Sequence, residues 1–510
     1  MKRGNVKVVC TMGPAIASAG KLTSLIRQGM DVVRLNFSHG THEEHGRHIE
    51  LIRECSHATQ EPVAILQDLQ GIKIRVGRVK DGGMELKNGS EVVIRPIETG
   101  GDSAAASENG APECSDGVIY ISYSHILDDL HEGEKVLIND GLFTLVVRKK
   151  LADGAVCVVK EGGILTSNKG VNLPDSEIST RPFTQKDRAD LAFGIEAGVD
   201  YVALSFVETR GFIDEVREFM RARGADIPII AKIERPKALK NIDDILEAAD
   251  GIMVARGDLA VEVSPEEIPL IQKRLIRKAN EHGKLVITAT QMLESMCEHS
   301  RPTRAETTDV ANAIIDGTDA VMTSAETSVG KYPLETVKMM GKIIAVTEAA
   351  GLPQVDAMAA PSQASITASL PDDSSGTFQK RTDNAALTAF AVAEASVTAA
   401  SKVGAGCIVA FTRSGYTALL LSKCRPSVPI IAFTPEKKTL PRMSLYRGVR
   451  PFFMRRLHDT DEMIREIESL LINMNIVKNG DIVVIAAGTP LSITGKTNFL
   501  KVHTIGEISG

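Results

Sequence analysis

No two cysteines in this sequence share a CxxC spacing. The seven thiols, Cys10, Cys55, Cys114, Cys157, Cys297, Cys407 and Cys424, are scattered and odd in number. That pattern speaks against a disulfide framework or a zinc site and for reduced thiols. No apolar run reaches the roughly 18 residues a membrane helix needs. Residues 1–5 are few, polar and lead directly into a strand pattern, so no signal peptide is expected and the expected compartment is the cytoplasm. GxxxxGK[ST] and GxGxxG are both missing, which removes the common nucleotide motifs. No repeat of fixed period occurs. The charge balance is only −6, which gives no electrostatic reason for a nucleic-acid or membrane partner.

What remains is a chain of 510 residues, enough for three or so domains at about 100–200 residues each. Short, continuous apolar runs at 7–13, 32–38, 63–69, 202–207, 227–234, 251–259, 285–291 and 319–327 alternate with amphipathic stretches such as 183–198, 265–283 and 303–317. Continuous rather than alternating runs suit strands buried on both faces. Eight of them with intervening helices predict a (β/α)8 barrel. The runs end in polar residues: Arg34, Asn36 and Ser38; Asp68; Lys232 and Glu234; Arg256 and Asp258; Thr290 and Gln291; Ser324, Glu326 and Thr327. In such barrels the C-terminal strand ends converge on the active site, although each residue taken singly also suits an ordinary strand-to-helix cap.

The third run leads into a long strand-like stretch, 73–169, punctuated by Asp81-Gly82, Asn88-Gly89 and Asp140-Gly141. It predicts an all-β domain inserted into the barrel. Residues 99–117, rich in Ser, Ala, Gly and acid, read as a surface loop, and 353–381 as a linker. From 384 onward helical patterns and runs at 407–411, 430–434 and 482–487 predict a separate α/β domain. The expected organisation is a catalytic barrel over 1–70 and 169–350, an inserted β-domain over 71–168, a linker over 351–383 and a C-terminal α/β domain over 384–510.

Lys232 and Glu234 alternate along one strand and share a face. With Asp258 from the next strand they offer a cation beside two carboxylates, a set that suits a phosphate and a magnesium ion. By spacing alone, the three also suit an ion network at the barrel rim. Gly257 permits close backbone approach, and the amides around Gly257 and Asp258 suit a carboxylate. Arg34 suits bidentate phosphate recognition and clusters with Asn36, Ser38 and His39. The histidines at 39, 42, 45 and 48 have helical spacing; a solvated helix face is expected there rather than a metal site.

The segments KVVCTMGP, VVRLNFSHG, LQDLQGIKIR, NKGVNLP, IIAKIE, GIMVARGDLAVE, ATQMLESM, RPTRAETTDVANAIIDGTDA and TSAETSVGKYP resemble, in order, the signature segments of the pyruvate kinase family, and the likeness covers nearly the whole chain. The resemblance implies phosphoryl transfer from phosphoenolpyruvate to ADP. It makes Lys232, Arg34 and Thr290 catalytic, with Lys232 steadying the phosphoryl group and the enolate, Arg34 gripping the phosphoryl group and Thr290 placing the proton-delivering water. Arg256, Gly257 and Asp258 join them in binding substrate, Glu234 and Asp258 hold Mg2+ or Mn2+, and Asn36, His39, Arg75 and Lys186 contact the nucleotide. Ser324 and Glu326 support the site from the eighth strand. The inserted domain resembles a mobile lid, and the family usually forms homotetramers.

Departures from the family pattern carry their own expectations. A potassium ion would sit on Asn36, Ser38, Asp68 and the carbonyl of Leu69, but Lys73 stands where potassium-dependent relatives carry Glu, so its ammonium is expected to replace the ion and potassium is not expected to be required. Arg235-Pro236-Lys237 follows Glu234 where relatives often have Asn and then an acidic residue with Gly. Ala325 replaces a common Gly. Thr412, Ser414 and Thr417 resemble an effector loop for phosphorylated sugars, yet no tryptophan is present to supply the aromatic partner of some fructose-bisphosphate sites. Two other readings stay open: a magnesium-dependent lyase acting on a pyruvate or oxaloacetate enolate, and a catalytically silent sugar-phosphate sensor.

Overall fold

The computed structural model describes residues 4–97, 112–176, 178–179, 182–351, 383–457, 459–489 and 497–507. Eight parallel strands close into a barrel: Lys7–Thr11, Val32–Asn36, Ala64–Asp68, Tyr201–Leu204, Ile229–Ile233, Gly251–Ala255, Leu285–Ala289 and Ala320–Thr323. They follow one another around the barrel in chain order, and the first closes on the eighth with Lys7 opposite Ala320. Each expected apolar run covers one of these strands, except that the fourth strand begins one residue before its run, at Tyr201. Several runs extend beyond their strand, because the polar C-terminal residues leave the ladder. Phe206, Thr290 and Gln291 turn into left-handed backbone, and Arg256–Glu262 becomes a helix.

Alternation along the strands sorts the core into two shells. Val33, Ile65, Val202, Ile252 and Val286 face outward onto the helices. Val9, Leu66, Tyr201, Ile230, Met253 and Ile287 fill the barrel interior, which is continuous with buried residues of the C-terminal region such as Ala393, Leu421 and Leu445. The helices are fixed at their ends by local sequence. Thr41, Thr184 and Thr303 each form a capping box, with Glu44, Asp187 and Glu306, at the starts of His42–Thr59, Gln185–Ala197 and Arg304–Asp316.

Between the third and fourth barrel strands lies a six-stranded sheet with a core of its own that includes Ile94, Ile119, Val136 and Leu145. Its last strand, Val171–Asn172, pairs with Lys135–Ile138 as the chain returns to the barrel. The turn at Asp140-Gly141 joins Lys135–Ile138 to Phe143–Lys150, with φ values of 54° and 84°; the second suits a residue without Cβ. Of the expected surface loop, 99–111 lies outside the described residues; 112–117 runs back into the sheet with Cys114 buried. The expected linker at 353–381 also lies outside them.

The C-terminal region forms a five-stranded sheet flanked by helices. Its order is Val449–Phe453, Ile430–Thr434, Cys407–Phe411, Ile482–Ala487 and Phe499–Thr504, the last antiparallel. Sequence reasoning found the three inner strands and missed both edges. Val449–Phe453 carries Pro451, tolerated at an edge because no ladder donor is needed there. No helix among the described residues is long and apolar enough to cross a membrane.

Candidate active site

The C-terminal rim of the barrel gathers a compact ionic cluster. Asp68, at the end of the third strand and almost wholly buried, accepts from Arg34 Nε at 2.6 Å and lies 3.3 Å from Lys232 Nζ. Arg34 also donates to Thr11 Oγ1 at 3.1 Å. Lys232 Nζ lies 2.9 Å from Glu234 Oε1 and donates to Ser205 Oγ at 2.7 Å. Glu234 Oε2 accepts from the amide of Phe206 at 2.6 Å. A guanidinium and an ammonium are thus held by one carboxylate, on neighbouring parts of one rim.

Charge and burial oppose one another within this cluster. Burial alone would raise the Asp68 carboxyl, but Lys232 and Arg34 outweigh it and hold the group below its usual range. Burial pulls Lys232 down, while Asp68, Glu234 and Asp258 overcome it and hold the ammonium charged well above its ordinary value. Glu234 is pushed up to about 7, chiefly by burial, with Lys232 pulling against it and Asp258 reinforcing it. A cation near Glu234 and Asp258 would remove the cost of charging both.

The carboxylate of Asp258 is exposed, at the start of helix Arg256–Glu262, and makes no hydrogen bond or ion pair among the described residues. It lines a cavity of about 250 Å³ between barrel and inserted sheet, together with Lys73, Asp140, Asn172, Phe206 and Glu262. A free carboxylate beside a second, desolvated one is a hard-oxygen donor pair, which fits a small divalent ion completed by substrate oxygens. Among the described residues no group of three or more His, Cys, Asp or Glu side chains is placed to hold a metal, so these two carboxylates would need those oxygens.

Thr290 sits in left-handed backbone, φ 65°, an uncommon place for a β-branched residue. Its Oγ1 accepts from the amide of Gly257 at 2.8 Å and donates to the carbonyl of Ala289 at 2.6 Å. Arg256, expected to touch substrate, is instead buried with its guanidinium directed to Asp309 at 2.6 Å, the carbonyl of Thr290 at 2.6 Å and Gln272 at 3.2 Å. It ties the loop after the seventh strand to the helices behind. Glu326, also buried, accepts from the amides of Leu293 and Ser324 at 3.1 and 2.6 Å.

On the opposite side, burial and then the cations Lys73, Arg75, Arg34 and Lys186 lower the pKa of His39. Four positive side chains from the barrel and the insertion therefore converge near one imidazole. Arg75 donates to the carbonyl of Asn168 at 2.9 Å; Lys186 to Phe37 O at 2.6 Å and Asp190 Oδ2 at 2.5 Å. Asn36 faces Asp68 in register and its Oδ1 accepts from the amide of Ser38 at 3.1 Å. The Leu69 carbonyl accepts from Ser205 Oγ at 2.8 Å. Lys73 is open to solvent, yet the cleft and Arg75 depress its pKa.

The expected solvated histidine face is partly packing. His45 is buried and stacks on Phe37 at 3.9 Å, and His42 stacks on Phe193 at 4.7 Å while meeting Asp190 at 2.7 Å. Sequence reasoning missed Ser205 and Phe206, which bind Lys232 and Glu234 from the fourth strand. No motif flags them; only the depth of the strand end places them. In the C-terminal region Thr412 Oγ1 accepts from the amide of Gly415 at 3.0 Å, Ser414 Oγ accepts from Tyr416 at 3.4 Å, and Thr417 pairs with Thr497 at 2.7 Å. The three effector candidates share one turn, with Thr412 and Thr417 buried.

An (β/α)8 barrel with cations and carboxylates on its C-terminal rim and an inserted sheet above defines a barrel phosphotransferase. The family model described as pyruvate kinase, barrel domain, matches residues 3–337, and that described as pyruvate kinase, alpha/beta domain, matches 390–503. A pyruvate kinase of Geobacillus stearothermophilus is 45% identical over 100% of this chain and 81% of its own length. Those of Corynebacterium efficiens and Mycobacterium tuberculosis are each 40% identical over 98% of both chains. The chain belongs to the pyruvate kinase family, and its reaction is phosphoryl transfer from phosphoenolpyruvate to ADP.

Proposed function

We propose that the rim cluster is where this transfer takes place, with roles divided as follows. Arg34 and Lys232 flank the migrating phosphoryl group. As the bond from phosphorus to the enol oxygen breaks and a bond to the terminal oxygen of ADP forms, their charges neutralise the equatorial oxygens. Asp68 holds both cations in place. Lys232 also steadies the enolate oxygen left behind, and Thr290 positions the water whose proton the enolate carbon accepts, giving pyruvate. Glu234 and Asp258 hold the divalent metal that this family uses, Mg2+ or Mn2+, which when bound supplies charge neutralisation and alignment of substrate oxygens. Asn36, His39, Arg75 and Lys186 contact the nucleotide. Gly257 and Asp258 shape the substrate seat, and Arg256 positions Thr290 from behind. The inserted sheet, whose last strand Val171–Asn172 runs past the expected boundary at 168, is a lid that excludes water during transfer.

The observation that carries this reading is the bridge made by Asp68 between Arg34 and Lys232, beside Glu234 and Asp258. A coupled assay with phosphoenolpyruvate, ADP and magnesium tests it. Lys232→Met should lower kcat by at least 10²–10³-fold, the scale of losing one preorganised charge donor, while circular dichroism stays that of the parent. A rate near the parent's would remove Lys232 from the mechanism.

Further properties belong to the same proposal. The enzyme is cytoplasmic and assembles as a homotetramer, and the turn at Thr412, Ser414 and Thr417 takes a phosphorylated effector. Lys73, which shares the cavity of Asp258 and Asp140, supplies the positive charge that potassium on Asn36, Ser38, Asp68 and Leu69 provides elsewhere. The same assay in tetramethylammonium salts should run at full rate, and adding potassium should change it less than twofold; a tenfold gain would refute the replacement.

A further inference from the structure

Arg235 immediately follows Glu234 but points away from the ionic cluster. Its side chain is 13% exposed and each of its three guanidinium nitrogens has a partner. Nη1 donates to Glu208 Oε1 at 2.6 Å, Nε to Glu262 Oε1 at 3.3 Å and Nη2 to the carbonyl of Leu173 at 3.2 Å. Each partner belongs to a different part of the molecule. Glu208 follows the fourth barrel strand. Glu262 ends the helix Arg256–Glu262 whose first turn carries Asp258. Leu173 lies on the segment by which the chain returns from the inserted sheet. A second tie runs in parallel, from Asn172 Nδ2 to Glu262 Oε1 at 3.1 Å.

We infer that Arg235 is a positioning residue that clasps the returning segment of the inserted domain to the helix bearing Asp258, so that the attitude of the lid and the placement of the metal-holding carboxylate are set together. The inference rests on the lid reading above. The planar fork matters because three acceptors must be met in three directions at once, which an ammonium does not do. Two of the contacts, to Glu208 and Glu262, stay within the barrel, and only the contact to Leu173 crosses to the insertion. The crossing contact is neutral at one end and 3.2 Å long, the weakest kind in the set, so it is the one that yields when the inserted sheet swings. Lys237, 3.6 Å from Glu208, balances the second carboxylate, so the clasp carries no net charge and its effect is geometric. Arg235 borders the cavity that Asp258 lines, but its guanidinium is held by Glu208, Glu262 and Leu173, so its loss should appear in turnover rather than in binding of phosphoenolpyruvate.

The experiment combines steady-state kinetics with amide hydrogen exchange on the whole enzyme, with and without phosphoenolpyruvate plus magnesium. In the parent, ligand addition should slow exchange in the inserted sheet. Arg235→Met should lower kcat about tenfold with KM for phosphoenolpyruvate within twofold, and should reduce that ligand-dependent protection. Asn172→Ala combined with Arg235→Met should cost less than the two changes separately, because both act on Glu262. Arg235→Lys provides the same readings if the methionine variant fails to fold. If the parent shows protection and the variants match it in protection and kcat, the clasp is wrong and the lid stands. If the parent shows no protection, the lid reading fails and the clasp falls with it.

Discussion

Asp68 shows how a single residue can be read from sequence in kind but not in consequence. A carboxylate at the end of a buried strand was visible; that it would face both Arg34 and Lys232 was not, since the three lie on three strands brought together only by barrel closure. The arrangement predicts that Asp68→Asn leaves Arg34 without its carboxylate and Lys232 with only that of Glu234. Breaking such a pair costs about 3–5 kcal/mol, and turnover should fall at least tenfold. The pH dependence has a definite sign. A carboxyl held below its ordinary 3.8 contributes stability that is present above that pH and lost as pH falls through the lower folded value. Denaturant titrations of parent and variant should therefore differ most near neutrality and converge in strong acid. Thr290 is the opposite case. Its chemistry was legible in the segment ATQMLESM, but its left-handed backbone and bond to Gly257 arise from the chain turning off the strand two residues earlier than the apolar run suggests. Arg256 was misplaced for a related reason: as the first residue of a helix it turns toward Asp309 and Gln272 instead of toward the mouth.

Elements were the most readable level. Continuous apolar runs gave all eight barrel strands because a strand buried on both faces leaves no room for alternation. Helix starts were equally local, since a threonine followed three residues on by an acid satisfies two orphan amides at once. The edge strands of the C-terminal sheet escaped because an edge is only half buried, so Val449–Phe453 keeps Pro451 and Phe499–Thr504 mixes Lys501 and His503 with its apolar residues. The histidine face escaped for a different reason. Phe37 precedes the helix and Phe193 lies on another, and their rings convert positions of polar appearance into stacked ones; helical spacing by itself carries no information about a partner so distant in sequence.

At the scale of the molecule, the floor of the barrel and the C-terminal region meet through buried charge. Lys423 lies beneath the barrel against Asp319, and donates to Asn280 at 3.1 Å; Arg425 contacts Asn280 at 3.1 Å. Burial, only partly offset by Asp319, lowers Lys423 from the ordinary 10.5 to about 8. A folded value below the unfolded one means that the unfolded chain holds this proton more tightly. The cost of burying the charge is full below about pH 8 and fades as pH rises toward 10.5. Buried thiols such as Cys10 and Cys407, raised from 9.0 to about 12, act in the other direction above pH 9. The comparison that isolates the lysine is therefore parent against Lys423→Met. Between pH 7.5 and 9.5 the unfolding free energy of the parent should gain on that of the variant. Parallel curves would show that Lys423 stays charged throughout.

Barrel closure has a consequence for biosynthesis. The first strand, Lys7–Thr11, finds one of its two neighbours only when Ala320–Thr323 has been made. At about 5–20 residues per second, the ribosome leaves that flank unpaired for roughly 15–60 seconds. The inserted sheet, whose pairings all fall within one contiguous stretch of chain, has everything it needs long before then. Nascent chains stalled ahead of residue 320 should carry a protease-resistant insertion on an unfinished, adhesive half-cylinder, the species a chaperone would meet.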